Sequence, residues 1–204
     1  MDNQEYLKQI SSTVRPEKKS TGFLSSALFK VIVAGVVALI IVLVAGSIIT
    51  GSKPKVKDRV ISLELHIDST LSVISDYQPL LKSSILRSNS ASLSGVLSNT
   101  NRELTNYIEE KYSYKASSSE NKKMKEEADA HKSELENDLF EAKINGILDR
   151  IFAHKMAFEI ALIISDEKSI YDASGDENLK SMILTSYNSL SNLYDKFNEF
   201  SETK

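Results

Sequence analysis

A run of twenty uncharged residues, 31–50, constrains this chain more than any other feature of its sequence. Valine, isoleucine, leucine and alanine fill the run, and an α-helix of this length extends roughly 30 Å, the thickness of the hydrocarbon core of a bilayer. A helix in the core of a soluble protein is rarely apolar on every face for so long. The sequence therefore predicts a membrane-spanning helix, which includes Val31, Leu39, Ile41, Leu43 and Thr50.

A cleaved signal peptide is the alternative interpretation of this run. Signal peptides have apolar cores of about 7–15 residues behind a short basic leader. Here the core has twenty residues and thirty residues precede it, which favours an anchor. The small residues Ala45, Gly46 and Ser47 resemble a cleavage site, so cleavage stays open.

The charges that flank the run bear on its orientation in the membrane. Positive residues collect on the cytoplasmic side, but four Lys and Arg stand close before the run and four stand close after it. A cytoplasmic N-terminus keeps the basic leader in the cytoplasm, whereas the opposite arrangement requires its translocation. We therefore predict a single-pass protein of the cell membrane with a cytoplasmic N-terminus and an extracytoplasmic C-terminal domain.

The anchor divides the chain into segments of different character. We predict a short cytoplasmic leader at 1–30, the transmembrane helix at 31–50, a juxtamembrane linker at 51–55, a helical-bundle domain at 56–200 and a frayed tail at 201–204. The leader has five Lys and Arg against three Asp and Glu, which gives it a net charge of +2. Because the whole chain has a net charge of −3, the remaining residues carry −5. An acidic body without a basic patch beyond the juxtamembrane residues argues against a nucleic-acid partner.

The body of the chain reads as long helices with few connections. From residue 56 to residue 78 the apolar residues alternate at steps of three and four, as they do in a heptad seam. Helical spacing recurs in 79–114, in 120–171 and after the turn at 172–177. The predicted fold class is all-α, with the N-terminal single transmembrane helix followed by an antiparallel helical bundle of about four helices.

The third helical segment changes character along its length. Its first half is mostly charged with a narrow apolar track, and its second half, beyond a bend at Asn145-Gly146, is apolar nearly all round. We therefore expect the first half to form, with part of the second helix, a helical hairpin that projects from the bundle. The apolar track is the candidate surface for a protein partner and consists of Met124, Ala128, Leu135 and Leu139.

No residue pattern indicates catalysis or a cofactor. The chain has no cysteine, no Gly-x-Ser-x-Gly turn and no glycine-rich phosphate loop, and the Glu-x-x-His motif of di-iron bundles is missing at all three histidines. Glu127, His131 and Glu134 share one helix face, for which a solvated charged face is the simpler interpretation. His66 and His154 are interpreted as packed or half-exposed side chains. We predict no catalytic, cofactor-binding or metal-binding residue.

These features predict a non-catalytic protein-interaction or scaffolding module at the cell envelope. Its expected partners are the lipid bilayer, which it meets through the N-terminal anchor, and a protein, with self-association as one form of that contact. The alternative is an extracytoplasmic sensor-like bundle that binds a small ligand, because a membrane helix followed by four helices resembles the sensing module of bacterial chemoreceptors. Such receptors return through the membrane, and this chain has no second apolar span of that length.

Overall fold

The computed structural model describes residues 55–113 and 121–202. The predicted leader and membrane helix, with Val31, Leu39, Ile41, Leu43 and Thr50, lie outside the described residues. Within the described ranges, no helix has both the length and the apolar character that crossing a bilayer requires.

The described residues form five α-helices and one short 3-10 turn, which confirms the all-α fold class. These elements belong to the unit Ser52–Lys204 of the chain. The 3-10 turn Gln78–Leu80 contains Pro79 and connects the first two helices. The helices are α1 (Val56–Tyr77), α2 (Ser84–Tyr112), α3 (Lys122–Ile144), α4 (Leu148–Ala173) and α5 (Glu177–Glu202).

Helices α1, α2, α4 and α5 form the antiparallel bundle that the apolar patterns predict. Helices α1 and α5 each pack against both α2 and α4, so α1 and α5 occupy opposite corners. The direction of α1 against α4 follows from two contacts between them. Arg59 near the start of α1 meets Ser169 near the end of α4, and His66 farther along α1 meets Glu159 nearer the start of α4.

The core consists of the residues that recur at three- and four-residue steps. The predicted seam of α1 is confirmed, and apolar residues at three- and four-residue steps on α5 are also buried. On α2 the buried residue of the first turn is Leu86, seven residues before Leu93, whereas the adjacent Ile85 is 66% exposed. The buried residues of the α1 seam and of α5 include Val60, Leu63, Ile67, Thr70, Ile74, Leu179, Ile183, Leu190 and Phe197.

Helix α2 continues through its serine- and asparagine-rich middle, although these residues favour other local hydrogen bonds over a helix. The buried hydroxyls of Ser90 and Thr100 donate to the carbonyls of Leu86 and Val96, one turn earlier in the same helix. These bonds satisfy the hydroxyls without interrupting the helix. Among the described residues, nothing lies within 4 Å of a Cβ added at Gly95, so none of the other four helices comes close there.

The bend predicted at Asn145-Gly146 separates α3 from α4. Gly146 has a φ of +72°, a conformation that glycine adopts without a steric cost. The N–H of Ile147 donates to the carbonyl of Ala142, which ends α3 in the wrapped hydrogen-bond pattern common at helix C-termini. The turn reverses the chain, so that α4 runs back along α3.

The predicted projecting hairpin of the second helix and α3 is wrong. Helix α3 packs against α1 and α4, whereas α2 packs against α1 and α5. Leu135 and Leu139 are buried in the core, and Met124 and Ala128 are half-buried against it. The physical reason is that even a narrow apolar track is removed from water when a surface of the bundle is available to cover it.

Candidate functional site

Three side chains with titratable groups meet where α1, α3 and α4 pack together. They are His66 on α1, His131 on α3 and Glu159 on α4, and one donor atom from each lies within 4.8 Å of the other two. His66 and Glu159 are 93 residues apart in the sequence, so only the packing of the helices joins them. We call this group the His–Glu–His cluster.

Both imidazoles direct the same ring nitrogen at one carboxylate. Nε2 of His66 is 2.8 Å from Oε2 of Glu159, and Nε2 of His131 is 2.9 Å from the same oxygen and 3.1 Å from Oε1. The two rings meet edge to face, with their centroids 5.3 Å apart. Each imidazole nitrogen can donate a hydrogen bond or offer a lone pair, so the cluster can hold protons or a cation.

The cluster extends from the interior of the bundle toward solvent. The exposed fraction of the side chain is 2% for Glu159, 15% for His66 and 36% for His131. Glu159 lies among buried apolar residues of α4 such as Met156 and Ile160. An isolated carboxylate would be strongly destabilising there, so the two imidazoles explain how α4 accommodates it.

The side chains around Glu159 and His66 shift the pKa of each group in the direction opposite to the effect of burial. Burial alone would raise the pKa of Glu159, but hydrogen bonds and charge from His131 and His66 lower it to about 2. Burial alone would lower the pKa of His66, but the neighbouring carboxylates of Asp166 and Glu159 raise it to about 9 through polar contact and charge. At neutral pH, His66 and Glu159 therefore form a buried ion pair.

Asp166 supports the outer side of the cluster. It lies on α4 seven residues after Glu159, and its Oδ2 is 3.9 Å from Nδ1 of His66. A carboxylate on this side favours a proton on Nδ1, which leaves Nε2 facing Glu159. Asp166 is 53% exposed, so it connects the cluster to the surface of α4.

The donor set has the composition of a transition-metal site. Two imidazole nitrogens and one carboxylate are the protein ligands of one class of zinc centre. Nitrogen donors suit Zn²⁺ and its neighbours in the first transition row better than Mg²⁺ or Ca²⁺, which prefer oxygen. Without a metal, the same groups form a network of charge-assisted hydrogen bonds that joins three helices.

The cluster differs from the candidates that the sequence suggested. His131 faces Glu159 rather than Glu127 and Glu134, which are both exposed on α3. Oε1 of Glu127 instead lies 3.7 Å from Nζ of Lys123, one helical turn earlier. His66, which the sequence analysis interprets as a packed or half-exposed side chain, belongs to the cluster. The sequence analysis missed the cluster, and the signal that could have revealed it is Glu159, a carboxylate inside the apolar stretch MAFEIALIIS, because a buried charge requires a partner.

A second feature is an apolar surface where α1 ends. Leu80, Phe140 and Ile144 are 42%, 55% and 69% exposed. Leu80 and Phe140 line a shallow groove of about 390 Å³, and Ile144 follows Phe140 by one helical turn on the same side of α3. The hydroxyl of Tyr77 donates to the carbonyl of Glu136 at 2.9 Å and fixes the end of α1 against α3. We call this surface the apolar groove.

The apolar groove and the His–Glu–His cluster share helix α3 but use different residues of it. The predicted partner-binding residues Met124, Ala128, Leu135 and Leu139 pack toward the core, so the exposed apolar surface of α3 lies instead at Phe140 and Ile144. Similarity assigns neither site: no protein-family model matches this chain, and no curated protein or solved structure matches it.

Proposed function

We propose that this protein is a membrane-anchored, non-catalytic helical bundle that binds a protein partner at the cell envelope. Residues 31–50 would hold it in the membrane, with the N-terminus in the cytoplasm and the bundle outside. The observation that carries the proposal is the exposed apolar surface of Leu80, Phe140 and Ile144, of which Leu80 and Phe140 line the groove. We propose that its occupant is the apolar face of an amphipathic helix.

The composition and shape of the groove support a helical occupant. Grouped large apolar side chains on an otherwise polar surface are a common mark of a protein-binding site. An amphipathic helix offers anchors at three- and four-residue steps, which match the one-turn spacing of Phe140 and Ile144. Asp76, Glu136 and Lys143 also line the groove, and an interface typically combines such polar groups with apolar contacts.

The place of the groove along the chain is consistent with a tether. Helix α1 starts at Val56, shortly after the predicted span, and ends at Tyr77 beside the groove. Its length is about 30 Å at 1.5 Å per residue. The groove is therefore at the opposite end of α1 from Val56, and anchoring would raise the concentration of the groove near membrane-bound partners.

Photo-crosslinking in intact membranes tests the groove. A photoreactive amino acid in place of Phe140 in the full-length chain should give one discrete protein adduct. The additional substitution Ile144→Asp should abolish it, because a charge would enter the apolar surface. Leu184 on α5, which is 48% exposed, is the matched control position and should give no such adduct.

The origin of the adduct separates the possible partners. Coexpression of two differently tagged copies would reveal whether the crosslinked protein is a second copy of this chain. An adduct with a different protein would support a heterologous partner. Equal products from Phe140 and Leu184, or products with lipid alone, would contradict the proposal.

Cysteine labelling tests the membrane topology, because the chain has no cysteine of its own. Asn192→Cys places a single thiol at an exposed position on α5. A membrane-impermeant thiol reagent should label it in intact cells. Labelling only after lysis would place the bundle in the cytoplasm and overturn the proposed orientation.

A small-ligand-binding bundle is a second candidate function, and one observation favours it. A wide groove of about 740 Å³ is lined by residues of α2, such as Glu103 and Tyr107, by residues of α5, and by Asp176, which immediately precedes α5. Tyr107 donates to Asp176 at 3.3 Å, so the groove presents polar groups to a ligand from both helices. Thermal stabilisation by a polar metabolite, lost on Glu103→Gln, would support this function, and a uniform result across a metabolite library would count against it.

A further inference from the structure

We propose that His66, His131 and Glu159 form a Zn²⁺-binding site, in which water completes the coordination. The inference stands on the geometry of the His–Glu–His cluster and is independent of the apolar groove. It assigns a metal to residues for which the sequence predicted none.

The donor atoms converge as the ligands of one ion do. Metal–ligand bonds of about 2.0–2.2 Å in a tetrahedral site place neighbouring donors roughly 3.3–3.6 Å apart. The distances of 2.8 and 2.9 Å from the two Nε2 atoms to Oε2 of Glu159 are slightly shorter than this. Small outward shifts of the side chains would therefore make room for the ion among them.

The surroundings of His66 favour a proton on Nδ1, and the ion would take the place of the proton on Nε2. An imidazole that binds Zn²⁺ through Nε2 carries its proton on Nδ1, where an outer carboxylate or carbonyl normally accepts it. Asp166 is the outer carboxylate here, with Oδ2 at 3.9 Å from Nδ1 of His66. Ion binding displaces the protons that the Nε2 atoms would otherwise share with Glu159, so it should release protons and strengthen as pH rises.

Charge and access are also suited to a dication. Glu159 is 2% exposed and supplies a buried negative charge, and Asp166 adds a second at the surface. The charge of Zn²⁺ would balance these two carboxylates. His131 is 36% exposed, so it offers a path for the ion and a place for a water ligand.

A metal at this point would have a structural consequence. The ligands come from α1, α3 and α4, and α3 is the helix with the narrowest apolar track. With no cysteine in the chain, disulfides cannot join these helices. Zn²⁺ would link α3 to the bundle, because ion binding to the folded state adds directly to the stability of that state.

The direct test is a zinc titration of the full-length chain in detergent. The protein carries an affinity tag without histidine, is stripped of metal, and then competes with a chromogenic chelator for Zn²⁺. We expect one ion per chain, unaffected by excess Mg²⁺. His131→Gln should weaken binding by more than the loss of an outer-shell group, which is about 10–100-fold, and Asp166→Asn should weaken it within that range.

The chain supplies a matched control in its third histidine. His154 is exposed on α4, five residues before Glu159, so His154→Gln should bind Zn²⁺ as the wild type does. Equal loss of affinity in His154→Gln and His131→Gln would show binding at scattered surface histidines and overturn the proposal. Retention of full affinity in His131→Gln would overturn it as well.

Co²⁺ replacement gives an answer that does not depend on any variant. Co²⁺ bound by two imidazoles, a carboxylate and water in a distorted tetrahedron should show intense visible absorption, and added Zn²⁺ should remove it. A wild-type chain that gives no such band and leaves all Zn²⁺ with the chelator would overturn the proposal, and the cluster would then be a network of hydrogen bonds alone.

Discussion

Helix α4 buries two glutamates, Glu159 and Glu167, which are 1% and 0% exposed when the whole residue is counted. His66 and His131 bind Glu159 at 2.8 and 2.9 Å, and its pKa falls to about 2. Neither oxygen of Glu167 has a hydrogen bond of good geometry within the described residues. Burial raises the pKa of Glu167, the nearby Ser186 hydroxyl opposes the rise and the charge of Asp166 adds to it, so that the pKa reaches about 7.

The difference shows that burial alone does not decide whether a carboxylate on α4 is ionised. Helices α1 and α3 bring imidazoles to Glu159, which can carry a compensating positive charge. Near Glu167, α5 brings the hydroxyl of Ser186, which is uncharged and lies 2.9 Å from the hydroxyl of Thr100. Glu159 is therefore held as an anion, whereas Glu167 exchanges its proton close to neutral pH.

Removal of an imidazole should have the largest effect on this contrast. His66→Leu leaves Glu159 buried with one partner instead of two, and we expect the free energy of unfolding to fall by about 3 kcal/mol. Urea unfolding of the full chain in detergent with a chelator measures this change. His154→Leu, at an exposed position on the same helix as Glu159, should change stability by less than about 0.5 kcal/mol. Similar losses in the two variants would contradict the assignment of Glu159 as a partner-dependent anion.

Glu167 should produce a pH dependence of stability that its neutral analogue lacks. Its folded-state pKa of about 7 lies above the ordinary value of 4.5. The contribution of the protonated carboxyl is therefore complete below pH 4.5 and is lost as pH rises through 7. This loss amounts to about 3 kcal/mol at 1.4 kcal/mol per pKa unit.

The substitution Glu167→Gln isolates the contribution of this carboxyl to the pH dependence of stability. The variant should match the wild type near pH 4.5 and exceed its stability by an increasing margin up to pH 8, because the amide stays neutral throughout. The measurement is the difference in unfolding free energy between the two proteins across this range. Parallel profiles would show that Glu167 is not protonated near neutral pH in the folded state.

Ser186→Ala should have a smaller effect at the same place. It removes the acceptor for Thr100 and the hydroxyl that favours the ionised form of Glu167, so we expect a loss of about 1 kcal/mol and a further rise in the pKa of Glu167. Ser189→Ala is the control, since Ser189 donates only to the carbonyl of Thr185 in its own helix among its described bonds. Equal stability changes in the two variants would show that the Ser186 hydroxyl does not affect Glu167.

Asp166→Asn should have the smallest effect on stability and a clear effect on protonation. Asp166 is 53% exposed, so its interaction with His66 is weakened by solvent. In the metal-free chain, the pKa of His66 should fall below about 9 while Glu159 remains ionised. An NMR titration of the imidazole resonances measures the shift. An unchanged pKa would show that Glu159 alone holds the charge of His66.

Local spacing was sufficient to predict the helices and much of the core. Val60, Leu63, Ile67 and Ile74 repeat at heptad steps, and a helix turns such residues to one side whatever it later packs against. Gly146 marked the bend between α3 and α4 because it alone among the residues there adopts a positive φ without cost. The uncharged run at 31–50 likewise stands as a prediction from length and apolarity.

The packing of distant segments was needed for the rest. Whether α3 projects or lies along α1 and α4 depends on the free energy of covering its apolar track, which no local pattern contains. The same holds for the His–Glu–His cluster, because His66, His131 and Glu159 come from three helices and are ordinary residues within each. Their charges and pKa values arise from one another, and they meet only after the helices have assembled.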